Sequence, residues 1–279
     1  MSHNEKLIKD LEEKAKTLRR HTISMINDAG MGWIGGSFSE TEIITCLLFH
    51  HMKHDPKKPD WSERDRLILS KAHCCEMLYA ALGEAGYFSK EHFNSYGKFG
   101  ALLQAHSQTT TPGVEYSGGS LGTGLSFAVG EALATKIDRS GKSPNSQGFN
   151  VYCILGDGEC DEGQVWEAAL AASHFELDNL AAIIDRNDYQ STGKVVDIMR
   201  LEPFTEKWRD FSWHVIDIDG HDIAQIIDAL NEANNTPDKP TAIIAHTIKG
   251  KGVPSFEERR LHFTKITDEM YSEAMEVLK

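Results

Sequence analysis

The chain has 279 residues, a formal net charge of −13, 40% hydrophobic and 25% charged residues. That length can bury one sizeable core, and the acidic balance argues against a nucleic-acid binder, whose phosphates would be repelled. An anionic cofactor is not excluded, because a metal ion and backbone N–H groups act locally. The five cysteines, Cys46, Cys74, Cys75, Cys153 and Cys160, are odd in number and form no C-x-x-C pair. They argue against a disulfide framework or a structural zinc and fit a reduced, cytoplasmic protein. Residues 2–6 carry no apolar signal core, and no run of about 18 apolar residues is present to span a membrane.

Apolar positions at Leu7, Ile8, Leu11, Ala15, Leu18, Ile23 and Ile26 predict a helix over residues 5–28, stopped by Gly30-Met31-Gly32. Gly35-Gly36-Ser37 reads as a loop, and Ser39 with Glu42 as a capping box for a helix over residues 40–51. A Pro/Lys loop at 55–60, a short strand at 66–69 and a helix at 72–83 follow. A glycine-rich stretch, 118–124, opens a helix to about residue 137, and 139–148 reads as a polar surface loop. Strands are then expected at 149–155, 180–185, 213–217 and 241–246, with helices at 163–175 and 223–234. Strands alternating with helices predict an α/β fold, a doubly wound parallel sheet with helices on both faces. No internal repeat or linker divides residues 1–279, so a single domain is expected.

The most informative stretch is Gly156-Asp157-Gly158 at the end of an apolar run, with Asn187 thirty residues beyond Asp157. A Gly-Asp-Gly turn after a strand is common by itself. Asn187 after the next strand changes that reading, because in an open parallel sheet both residues reach the carboxyl edge where ligands bind. A carboxylate, an amide oxygen and a backbone carbonyl there can hold Mg²⁺, with diphosphate oxygens and water completing the octahedron. Gly156 and Gly158 let the backbone turn and approach a diphosphate. The stretch Gly119-Ser120-Leu121-Gly122-Thr123-Gly124 is weaker: its order is G-x-x-G-x-G rather than G-x-G-x-x-G, and no strand clearly precedes it. Among the histidines, His73 follows a strand, His106 lies in a loop, His221 sits in Asp219-Gly220-His221-Asp222, and His262 lies near the C-terminus. None has metal-ligand spacing, and each alone reads as a surface or satisfied core residue. Lys249 is either a solvated turn charge or a cation near a phosphate.

Together these segments resemble the N-terminal, thiamine diphosphate-binding half of transketolase, and most of all the separate small subunit of two-gene transketolases. The resemblance spans about residues 10–270. It is carried in order by Gly32 to Ser37, Arg64-Asp65-Arg66, Leu69 to His73, Thr111 to Glu115, Gly119 to Gly122, Gly156-Asp157-Gly158 with Glu162-Gly163, Asp219 to Asp222, and Thr247 to Gly252. It implies the thiamine diphosphate-binding fold, with Asp157, Asn187 and the Tyr189 carbonyl as ligands of Mg²⁺ (or Ca²⁺ or Mn²⁺). It implies cofactor contacts from His73, Gly119, Ser120, Leu121, Gly156, Gly158, Glu159, Asn187 and Lys249. His73, His106 and His262 would serve the chemistry, and Trp33 and His262 would meet substrate. His262 lies about one residue short of the family spacing from Lys249, and Phe263 replaces the glycine that usually follows.

Two further departures stand out. Trp33 occupies a position where the family has histidine, and an indole N–H can only donate. An altered sugar, impaired sugar turnover and simple space-filling all remain open. Ala72 replaces a glycine before His73. The resemblance also implies a partner: the family glutamate that activates the cofactor's aminopyrimidine lies on a pyrimidine-binding domain, which with the C-terminal domain is absent here. The expected function is ketol transfer between sugars or sugar phosphates, by a subunit that is active only with a second chain, as an α2β2 heterotetramer. An α subunit of a 2-oxo acid dehydrogenase or decarboxylase, and a noncatalytic scaffold, are the alternatives.

Overall fold

The computed structural model describes residues 4–141, 148–257 and 261–279. Five strands, β1 (Arg66–Leu69), β2 (Val151–Gly156), β3 (Leu180–Arg186), β4 (His214–Asp219) and β5 (Thr241–His246), form one sheet in the order β1-β2-β3-β5-β4. Every pairing is parallel. Strand residues alternate between two cores, as the two-residue period of a strand requires. Tyr152, Ile154, Ile183 and Ile243 face the core built with α1 (Glu5–Ala29), α3 (Thr41–Cys46), α4 (Cys75–Ala85) and α9 (Ile223–Asn234). Val151, Cys153, Leu155, Ile184 and Ile244 face the core built with α5 (Thr123–Gly141), α6 (Gly163–His174) and α8 (Phe204–Asp210). The doubly wound α/β sheet read from the sequence is the observed one. All five cysteines are buried free thiols. Among the described residues, no helix is long and apolar enough to cross a membrane.

Three local expectations are corrected. Residues 35–37 are not a loop but part of a short helix, α2 (Ile34–Ser39). Their glycines serve close packing: a Cβ on Gly35 would lie 2.0 Å from the Leu261 carbonyl, and one on Gly36 2.6 Å from the Cys74 sulfur. The capping box is absent. Thr41 opens α3 without a side-chain cap; Ser39 Oγ donates to Asp185, and Glu42 accepts from Arg19. Finally, α5 runs through Gly141 rather than ending near 137, and residues 142–147 of the expected polar loop lie outside the described residues. Three helices had no sequence signal assigned: α7 (Val195–Ile198), α8 and α10 (Asp268–Val277).

Gly35→Ala is expected to cost about 1–3 kcal/mol, because the added methyl meets backbone that cannot give way. Gly130→Ala, in α5 with nothing near its Cβ position, should instead stabilise the isolated chain by about 0.5–1 kcal/mol. Denaturant unfolding of the two variants should therefore give opposite signs.

Candidate active site

The carboxyl edge of the sheet is where the sequence motifs meet. β2 and β3 are neighbours with Gly156 paired to Asp185, so Asp157 and Asn187 leave adjacent strands side by side. Asp157 is buried at 2% exposure. One of its oxygens accepts from the Gly158 N–H at 2.8 Å and the other from the Asp188 N–H at 2.6 Å. Burial pushes its carboxyl up to about 7, and repulsion from Asp185 adds to this. Asn187 donates through Nδ2 to Asp185 at 3.0 Å, which turns Oδ1 toward the Tyr189 N–H, from which it accepts at 3.2 Å. The Tyr189 carbonyl is near, with Lys249 Nζ at 3.4 Å from it. A buried carboxylate that is costly to ionise alone, beside an amide oxygen and a carbonyl, is a hard-oxygen set suited to a divalent cation. Among the described residues, no group of three or more His, Cys, Asp or Glu side chains is placed to hold a metal. This set has one carboxylate and needs oxygens from a ligand to complete it.

A cavity of about 320 Å³ opens beside this set. Gly119, Leu121, Gly156 and Gly158 form one part of its lining, and His73, His106, His262 and Trp33 another. Lys249 and Gln190 also reach it. A Cβ on Gly119 would meet nothing within 4 Å, and one on Gly156 nothing nearer than 3.8 Å, so both glycines leave open room at the cavity. Ser120 is not among the lining residues; its carbonyl accepts from Thr123 Oγ1 at 2.9 Å. Glu159 does line the cavity, but its carboxylate is a tie between segments. It accepts from Ser70 Oγ at 2.5 Å, the Gly122 N–H at 2.8 Å and the Gly156 N–H at 3.0 Å.

The three histidines are held neutral. Burial and then Lys71 pull the His73 imidazole well below its usual range, burial lowers His106, and burial followed by Lys249 pushes His262 down to about 4. The rings of His73 and His262 lie 5.3 Å apart, so the shorter spacing of His262 from Lys249 does not keep it out of the cavity. Trp33 stands edge-on to His106 at 5.1 Å and packs against Phe263 at 4.5 Å. Two sequence departures thus form one aromatic wall. Arg64 and Glu115 pair with each other and do not line the cavity.

Sequence reasoning missed the group beneath the site. Lys71 is buried at 2% exposure, 2.5 Å from Asp185 and 2.9 Å from Glu40. Asp185 also accepts from Ser39 Oγ at 2.6 Å and from Thr247 Oγ1. Burial pushes Glu40 up to about 8 despite Lys71. An acidic residue ending a strand two positions before Asn187 was the available signal.

Residues 11–272 match the family model described as the transketolase thiamine diphosphate binding domain. The chain belongs to the transketolase family. It is 44% identical to a 6-deoxy-6-sulfo-D-fructose transketolase subunit of a Clostridium strain, over 97% of this chain and 96% of that protein. It is 38% identical to an apulose-4-phosphate transketolase subunit of Phocaeicola vulgatus, over 96% and 93% respectively. A crystal structure of Campylobacter jejuni transketolase superposes with a TM-score of 0.92 at 31% identity. That match covers 97% of this chain but only 43% of the Campylobacter chain. The family match decides for a transketolase subunit over a 2-oxo acid dehydrogenase.

The native pKa of His262 lies below the ordinary 6.5. As pH falls from about 6.5 to about 4, the unfolded chain takes up this proton and the native chain does not, so stability drains away in that window. His262→Gln removes the liability. Melting temperatures at about pH 7.5 and about pH 5 should show a smaller acid loss in the variant; equal losses would mean the ring protonates freely in the fold.

Proposed function

We propose that this chain is one subunit of a thiamine diphosphate- and Mg²⁺-dependent transketolase. It would transfer a two-carbon ketol unit from a ketose or ketose phosphate to an aldehyde acceptor. The observation that carries the reading is the meeting of Asp157, Asn187 and the Tyr189 carbonyl with three neutral histidines around one cavity. In this reading those three oxygens hold Mg²⁺, or Ca²⁺ or Mn²⁺ in its place, and the open backbone at Gly119 and Gly156 receives the diphosphate. Gly158, Leu121 and His73 complete the cofactor's surroundings, and Ser120 fixes the turn beside them.

Bound thiamine diphosphate supplies a carbon nucleophile and an electron sink for breaking the bond next to a carbonyl. The chain's own residues bind, orient and move protons. His73, His106 and His262, kept neutral by burial, can accept a proton from a sugar hydroxyl or share one with a carbonyl oxygen. Lys249 brings positive charge toward the same space. The buried position of Asp157 makes metal and diphosphate mutually dependent, since neither alone completes the oxygen set.

The reactive end of the cofactor requires a second subunit carrying a pyrimidine-binding domain, in an α2β2 assembly in the cytoplasm. Exposed apolar side chains next to the site support such a partner: Leu121 at 36% exposure and Val196 at 54%. The substrate reading follows from Trp33 and Phe263. They put an aromatic wall where the family has a histidine and a glycine, which favours a modified sugar over an ordinary pentose phosphate. The two subunit relatives, named for a sulfonated sugar and for apulose phosphate, are compatible with that.

Asp157→Asn should remove Mg²⁺-dependent uptake of thiamine diphosphate while shifting the melting temperature of the cofactor-free chain little, because the relief of a buried, raised carboxyl offsets the loss of one of its two backbone-accepting oxygens. Calorimetric titration with cofactor and Mg²⁺ reads this directly. Wild-type chain that takes up no cofactor even with its partner would favour a scaffold. Two-carbon transfer should require both chains. Trp33→His should raise turnover of xylulose 5-phosphate with ribose 5-phosphate relative to wild type. Wild-type turnover of that pair at an ordinary transketolase rate would sink the modified-sugar reading.

A further inference from the structure

A chain of side chains runs from α1 to the loop that carries Lys249. Arg19, at 4% exposure, grips Glu42 through both guanidinium ends, at 2.6 and 2.8 Å. Glu42 Oε2 lies 2.9 Å from His221 Nδ1, and His221 Nε2 lies 2.8 Å from the backbone nitrogen of Ile248. A backbone N–H can only donate, so Nε2 must be the bare, accepting nitrogen and the ring proton must sit on Nδ1. That proton points at Glu42, which can only accept while ionised. The hydrogen bonds therefore select one imidazole tautomer at each step, starting from a guanidinium that does not lose its charge.

The position of this chain gives it a consequence. His221 sits in the turn after the edge strand β4, in the Asp219-Gly220-His221-Asp222 motif that the site itself does not use. Ile248 immediately precedes Lys249, and its other neighbour, Thr247, bonds Asp185. The backbone of this loop is held at Thr247 by the Arg186 carbonyl at 3.0 Å and at Gly250 by the Gly35 carbonyl at 3.0 Å. The His221 ring supplies the acceptor between those two points. Arg19 also presses on the far end of the loop, within 3.0 Å of where a Cβ on Gly252 would stand.

We infer that His221 is a positioning residue: as the Nδ1–H tautomer set by Glu42 and Arg19, it fixes the backbone at Ile248 and so the placement of Lys249 in the cavity. The role assigned to Lys249 rests on the proposed cofactor site, whereas the hold on Ile248 does not.

Two substitutions separate the two nitrogens. His221→Gln can place Oε1 near Nε2 and keep an acceptor for Ile248, losing the bond to Glu42. His221→Asn can keep a donor near Nδ1 but leaves the Ile248 N–H without its acceptor. In the cofactor-free chain, hydrogen exchange of the Ile248 amide should speed up at least about tenfold in H221N and stay within about threefold of wild type in H221Q. Equal exchange in the two variants overturns the inference, whatever becomes of the cofactor site.

With the partner subunit present, thiamine diphosphate in excess Mg²⁺ should bind about tenfold more weakly to H221N and within about twofold of wild type to H221Q, the scale on which groups behind a ligand act. Glu42→Gln, which lets the ring proton move to Nε2, should resemble H221N. In a Lys249→Met background, H221N should add little further loss, because the two residues act through one contact. Full additivity, or binding losses that merely follow the melting temperatures of the variants, would overturn the link to Lys249. Failure of the wild type itself to bind cofactor would overturn that link together with the proposed function, while the exchange result stands separately.

Discussion

The Asp185 carboxylate is the constraint on which the site depends. It is fully buried, and burial alone would push it toward the neutral acid. Lys71, with hydrogen bonds from Ser39 and Thr247, holds it below the ordinary carboxylate range instead. A buried anion is tolerable only when it is paired and its lone pairs are used, and Asp185 uses them on four separate segments. Ser39 comes from α2, Lys71 from the turn after β1, Thr247 from the turn after β5, and Asn187 from the turn after its own strand. One charge thus joins four of the pieces of chain that converge on the carboxyl edge. It also decides which way the Asn187 amide faces, since the nitrogen is engaged by Asp185 and the oxygen faces the Tyr189 N–H, from which it accepts at 3.2 Å.

The same economy of space governs the glycines. At Gly35 and Gly36 a methyl would strike the Leu261 carbonyl and the Cys74 sulfur, so α2 can lie against the loop carrying His262 and the turn carrying His73. That approach brings the Trp33 end of α2 to within ring contact of both His73 and His106. Gly119 and Gly156 do the opposite: a Cβ would meet nothing within 4 Å at Gly119 and nothing nearer than 3.8 Å at Gly156, and both line the cavity. Absence of a side chain therefore has two uses here, one to close segments on each other and one to keep a cradle open. A sequence does not distinguish them, because both are written as glycine.

This explains what was legible. Five strands and the helices α1, α4, α5, α6 and α9 follow from local periodicity and apolar runs, and residues 223–234 and 241–246 agree with the structure at both ends. The placement of Asp157, Asn187, His73, His106, His262 and Lys249 around one cavity was accessible from strand ends plus a family resemblance. Ser39 and Glu42 were misread because a capping box is a statement about spacing alone. Their partners, Asp185 and Arg19, are distant in sequence, and long-range pairing outweighs a local cap at a helix that starts inside the core. Lys71 was invisible for a similar reason. A lysine after a strand reads as solvated until a buried acid is found opposite it.

The aromatic wall and the neutral histidines belong to one electrostatic arrangement. Trp33, backed by Phe263, presents ring surface with no ionisable group to a space that already holds Lys249 and three imidazoles. A fourth histidine at position 33 would add another titratable group beside His73, whose ring is already disfavoured as a cation by burial, Lys71, His262, His106 and Lys249. Tryptophan removes that competition. It leaves the remaining histidines to be neutral donors and acceptors near physiological pH, a state in which an imidazole can take up or share a proton. The departure at Trp33 is thus compatible with an intact set of proton carriers, and its effect falls on the shape and polarity offered to a substrate.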